Sequence, residues 1–209
     1  MVAINKQGQA LGRKGAESRA RLIEATRGLI AETPAEKLTA SAVARAAGLA
    51  SQTFYLYFAD VDEVLLSLAN EAAGDMAEIV AELDLPWEAV TIDAHAQRFI
   101  AAFYRYWDKH RAILNVRNFR AEIGQPPFVR ARDDAAMPVV RGLATRIGAA
   151  QRDPALPERD ALARAVILYS SIERMASRYA IIQGEGSLFD AEDLKRAEAH
   201  ILRLLLAPA

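Results

Sequence analysis

Between positions 17 and 32, Leu22, Ile23, Thr26, Leu29 and Ile30 recur at i, i+3, i+4 and i+7 spacing, which predicts an amphipathic helix. Pro34 closes it. Thr39 is a good N-cap for a short second helix, ASAVARAA, which stops at Gly48, a residue suited to a left-handed C-cap. A third short helix carries QTFYLYF. Asp60 and Glu63 then have capping-box spacing ahead of Val64, Leu65, Leu68 and Ala72, so a fourth helix is expected over 61–83, before Pro86. Further helices are expected over 87–109, 111–123, 127–151, 158–183 and 191–206, separated by GQPP, DPALP and GEGS connectors. No stretch alternates with the period of a strand, and no repeat is visible. The predicted fold is all-α.

The second and third helices meet at a tight glycine turn, the plan of a helix-turn-helix. Ala44 is small where the two would cross, and Val43, Leu49, Phe54 and Phe58 supply apolar anchors. Such a unit cannot bury a core alone, so helix 17–32 is expected to close its third side. Ser51, Gln52 and Thr53 then fall at the end of the second helix that enters a major groove in this motif. Gln can pair bidentately with adenine, and Ser or Thr can meet any base or a phosphate. Tyr55 and Tyr57 carry a hydroxyl at the tip of an apolar ring, suited to packing inward while reaching the DNA backbone.

Composition changes this picture little. The chain has 209 residues, 25% of them charged, a formal net charge of −1 and no cysteine, which excludes disulfides, thiolate metal sites and a cysteine nucleophile. His95, His110 and His200 are far apart, so no metal site is expected. No apolar run approaches a membrane span, and the polar, basic start does not read as a secretory signal, so the expected location is cytoplasmic. Charge is unevenly placed: up to position 21, Lys6, Arg13, Lys14, Arg19 and Arg21 stand against Glu17 alone. A second basic stretch, from Arg105 to Arg132, is read as a solvated helical face. No nucleophile–base pair, paired carboxylates or cofactor motif appears, and the reading is that the chain is not an enzyme.

The segment from Leu22 to Leu65 resembles the DNA-binding domain of TetR-family transcriptional regulators. The resemblance rests on T-x-x-x-V-A-x-x-A-G-L from Thr39 to Leu49, T-F-Y-x-Y-F from Thr53 to Phe58, and the acidic DVDEVL that follows. It implies a DNA-binding domain over 1–60 with a basic N-terminal arm, and an effector-binding and dimerisation domain over 61–209. The implied DNA contacts are Thr39, Arg45, Ser51, Gln52, Thr53, Tyr55 and Tyr57, with Arg13 and Lys14 in the arm. Where the family often has Ser, Gly and Lys, this chain has Ala50, Gln52 and Val61; Ser51 is expected to take over the cap, and Gln52 to project a side chain for readout.

For the rest of the chain the resemblance implies a homodimer whose last two helices pair with their copies, through Leu162, Val166 and Ile167 and through Leu194, Ala197, Ile201, Leu204 and Leu205. It also implies a pocket for an unknown small molecule among the middle helices, with His95, Phe99, Phe103, Trp107, Phe119, Met137 and Met175 as candidate lining. The expected function is a regulator, a repressor released from a palindromic operator by that effector, with helix 61–83 as lever and Gly74 as its bend. The alternative is a helical ligand-binding or interaction protein whose helix-turn-helix no longer binds DNA.

Overall fold

Why the chain turns where it does is clearest around Gly48. A computed structural model describes residues 12–150, 158–182 and 189–207; Lys6 and the DPALP and GEGS connectors lie outside them. The first helix, α1 (Arg13–Glu32), ends at Thr33, whose N–H still bonds the Leu29 carbonyl, and Pro34 follows. Inside α1 the fully buried Thr26 donates its hydroxyl to the Leu22 carbonyl at 2.8 Å, so the polar group costs nothing to bury. After a short 3-10 turn, Ala35–Lys37, the Thr39 hydroxyl oxygen caps α2 (Ala40–Ala46) by accepting the Ala42 N–H at 3.1 Å. Gly48 then takes φ +65°, letting its own N–H reach the Arg45 carbonyl and the Leu49 N–H reach that of Ala44. This is a Schellman ending, and it turns the chain into α3 (Ser51–Tyr57).

The fourth helix is shorter than its pattern suggested. In place of one helix over 61–83 there are α4 (Val61–Gly74) and α5 (Met76–Asp84). Gly74 favours a helix end, and Asp75 between the two is drawn aside by Lys109 and His110, whose Nζ and Nε2 lie 2.6 and 2.8 Å from its carboxylate. Hydrogen bonds from Lys109 and His110 hold the Asp75 carboxyl below the usual range, with charge a smaller contribution. The break expected near residue 110 is absent: α6 runs unbroken from Ile92 to Glu122. No Gly or Pro interrupts that stretch, and the His110 ring is buried rather than exposed in a loop. The start at Ile92 instead of 87 follows from Thr91, whose hydroxyl oxygen accepts the Glu88 N–H in a local turn. Three more helices complete the described residues: α7 (Pro126–Ala150), α8 (Glu158–Ile182) and α9 (Ala191–Leu206), the last opened by an Asp190–Asp193 capping box.

Contacts divide the chain into two compact units, Met1–Ala73 with Ala112–Arg132, and Gly74–Arg111 with Asp133–Ala209. The first stretch of this contact division runs to Ala73 because α4 shares the core of the helices before it. In the first unit Leu22 and Ile23 of α1, Val43 and Ala44 of α2, Phe54 and Phe58, and Leu65 and Leu68 of α4 form one buried cluster. Ile113, Ala121 and Phe128 join it from far along the chain. The expectation that α1 closes the helix-turn-helix holds, with α4 and residues 112–132 sharing the task. In the second unit the core is built from Ile79, Leu83, Phe99, Phe103, Trp107, Leu143, Ile147, Tyr169 and Leu202, among others, all buried. No described helix is long and apolar enough to cross a membrane.

Candidate nucleic-acid interface

The third helix sorts its residues sharply by face. Phe54 and Phe58 are fully buried with ring centroids 5.7 Å apart, and Tyr57 packs half-buried against the same cluster. Ser51, Gln52, Tyr55 and Leu56 are exposed, and Thr53 is intermediate. Tyr55 leans its ring edge on Phe54 at 5.5 Å but leaves 55% of its surface open, so the hydroxyl is directed outward from an apolar anchor.

Capping of α3 differs from expectation. The N-cap is Ala50, which offers no side-chain bond, and the turn closes through the Thr53 N–H on the Ala50 carbonyl. Ser51 does not take over: its Oγ lies 2.9 Å from Ser41 Oγ, tying the first turn of α3 to α2. Ala50 has no acceptor to offer, and Ser51 is already inside the helix, where Oγ cannot fold back on an N-terminal N–H.

The cations fall into two groups. Arg19 lies over the Phe58 ring, its guanidinium carbon 5.0 Å from the centroid, and donates to Ser67 Oγ at 3.2 Å. Arg21 donates to the carbonyls of Ala47 and Gly48, fastening α1 to the turn. Both are structural ties, although their charges add to the basic start of the chain. Their partners lie more than twenty residues downstream, so no local signal marks them. Arg13 and Lys14 are exposed on the first turn of α1, Arg13 within 3.7 Å of Glu17, and Arg45 is exposed on α2. Thr39 is exposed, with its oxygen engaged as the α2 cap. Val61, where the family often has Lys, packs half-buried against the core. The neighbouring Asp62 pairs with Arg120 at 3.0 Å.

In the second unit the candidates for a pocket are placed apart. Phe99, Phe103 and Trp107 are buried in packed core, Phe103 meeting Tyr169 edge to face at 5.6 Å. His95 is stacked on Trp87 and accepts from Arg98, which in turn bonds Glu82. Met175 is half-buried, and Met137 lines a groove of about 720 Å³ with Arg141, Thr145 and Leu162. Phe119 belongs to the first unit and is nearly half exposed. The residues expected to pair in a dimer share a different property. Leu162, Val166 and Ile167 on α8 and Ala197, Ile201 and Leu204 on α9 are exposed, with Leu194 and Leu205 intermediate, while Ala199, Leu202 and Leu206 turn inward.

Comparison with known proteins agrees with this geometry. Residues 22–68 match the profile of bacterial regulatory proteins of the tetR family. No curated protein matches the chain in sequence. Among solved structures the fold is similar to the fatty acid degradation regulator FadR from Bacillus halodurans, at 17% identity and TM-score 0.65, over 93% of this chain and 97% of that one. A tetR-family transcriptional regulator from Streptomyces coelicolor is similar at 16% identity and TM-score 0.66, over 93% and 82% of the two chains. So is a TetR family transcription regulator from Marinobacter aquaeolei VT8, at 13% identity and TM-score 0.63, over 94% and 99%. At such identities these likenesses speak for the fold, and the match over α1 to α4 speaks for the lineage. With a helix-turn-helix held in this way and residues 22–68 carrying the family's pattern, the DNA-binding segment of this chain is that of the tetR family of bacterial regulatory proteins, and the rest of the chain shares the fold of such regulators.

Proposed function

We propose that the chain works as a homodimeric repressor in the cytoplasm, binding a palindromic operator through α1 to α3 and released from it by a small molecule held in the second unit. The observation that carries the reading is the sorting along α3: Phe54 and the adjoining Phe58 are sunk in the core while Ser51, Gln52 and Tyr55 stand open to solvent. Gln52 would read a base edge, and Tyr55 a phosphate, with Thr39, Thr53, Tyr57, Arg45, Arg13 and Lys14 adding backbone contacts. The functional division proposed is a DNA-binding part over 1–60 and an effector and dimerisation part over 61–209. Two copies are needed because one seven-residue helix reads only a half-site, and half-sites lie about 34 Å apart on one DNA turn. The exposed apolar strips of α8 and α9 supply a self-complementary surface for that pairing.

Release follows from linkage. An effector that prefers a dimer whose recognition helices are wrongly spaced weakens DNA binding by its differential affinity for the two forms. The reading is non-enzymatic throughout. Its test is a gel-shift titration of the full chain on DNA upstream of its own gene, at low salt and with a scrambled duplex as competitor. Selective retardation supports the regulator. Equal binding to both duplexes, or none, returns the alternative of a helical protein that no longer recognises DNA.

A further inference from the structure

One residue on the open side of α3 has no polar chemistry to offer. Leu56 is 60% exposed, the largest such fraction among the large apolar side chains of α2 and α3. At about 100° per residue, Phe54, Tyr57 and Phe58 centre the buried side of the helix, and Gln52 and Leu56 fall roughly opposite, one turn apart. These two side chains therefore stand furthest from the core, with Ser51 and Tyr55 on one flank. Isolated surface leucines are common and usually mean nothing. This one occupies the crest of the surface that carries the readout residues, where a side chain lacking donor and acceptor cannot bond a phosphate or a base edge. The apolar feature of the major groove is the C5-methyl of thymine.

We infer that Leu56 is a specificity-determining residue that packs on a thymine methyl group in the operator half-site. The inference rests on the DNA-binding reading above and adds to it an apolar contact beside the hydrogen bonds of Gln52. Four residues of helix rise about 6 Å, so the thymine lies about two base pairs from the pair read by Gln52. Leu56 thus gives each half-site a preference that hydrogen-bonding groups alone would leave open at that step.

The test removes the methyl from the DNA rather than the residue from the protein. An operator is first selected from random duplexes with the full chain, and each thymine is then replaced in turn by deoxyuridine. Loss of one methyl contact weakens binding by about fourfold. The expected result is one such position in each half-site, about two base pairs from the step at which Gln52→Ala relaxes preference. Leu56→Ala, whose side chain is mostly in solvent and whose loss leaves the core intact, should bind more weakly and lose its response to that one replacement. If every deoxyuridine duplex keeps the same ratio of affinities between the parent and Leu56→Ala, while the selected operator still binds tightly, the methyl contact is wrong and the regulator stands. If no sequence is enriched at all, the regulator reading fails and this inference fails with it.

Discussion

The guanidinium of Arg21 and the α-carbon of Gly48 occupy the same corner of the fold: a Cβ at position 48 would lie 2.8 Å from Arg21 Nη2. Gly48 is thus required twice, for its φ of +65° and for the room it leaves to the clamp on the turn.

Replacing Gly48 by Ala should destabilise the chain by about 1–2 kcal/mol from the left-handed backbone alone, and by more from the displaced guanidinium. Urea denaturation of Gly48→Ala, Arg21→Ala and the double variant separates the two. The double variant should lose less than the sum, because Arg21→Ala removes the clash and leaves only the backbone strain.

Tyr55→Phe leaves the ring on Phe54 and deletes only the outward hydroxyl. Operator affinity should fall by about 1 kcal/mol, and by a similar factor on every sequence bound, as befits a phosphate contact. Gln52→Ala should instead act at one base step. Affinities over a panel of single-base operator variants distinguish the two patterns.

Glu198 on α9 gives the second unit a pH response. Its carboxyl is 6% exposed, and burial pushes it up from 4.5 to about 7 despite the Tyr104 hydroxyl nearby, which pulls the other way. Neither carboxyl oxygen has a hydrogen bond of good geometry, and neither has the Tyr104 hydroxyl, whose own ionisation burial also opposes. Between pH 4.5 and about 7 the folded chain keeps a proton that the unfolded chain has released. Stability therefore falls as pH rises through that window, by roughly 3 kcal/mol, and stays level above it. Urea midpoints across the window should show the decline, and Glu198→Gln should flatten it.

Opposite faces of α9 should respond differently to mutation. Leu202→Ala empties a fully buried position and should cost about 2–5 kcal/mol of stability. Ile201→Glu, at a half-exposed position, should leave the fold intact and convert the proposed dimer into single chains by sedimentation. With a two-half-site operator as proposed, affinity should then drop by about tenfold or more.

The elements that could be read from sequence are those whose causes lie within a few residues of each other. Thr39 and Gly48 announce both ends of α2, and the Phe54–Phe58 spacing announces which side of α3 is buried. What could not be read depends on distant partners. The break at Asp75 is held by Lys109 and His110, and the same contacts let α6 pass straight through residue 110. Ile113 and Phe128 join the core of the first unit with nothing in their own neighbourhood to say so. Among candidate site residues, exposure on α3 followed from helical geometry, whereas the roles of Arg19 and Arg21 needed the folded chain.

Those two arginines also set how the protein should respond to ionic strength. A guanidinium tied to Ser67 or to a backbone carbonyl should be held back from the phosphates and so displace no counterion when a duplex arrives. Each such cation subtracts about 0.9 from the slope of log affinity against log salt that the sequence charge alone would suggest. A salt titration should therefore give a shallower line than the basic start of the chain promises, unchanged by Arg19→Gln and flattened further by Lys14→Gln.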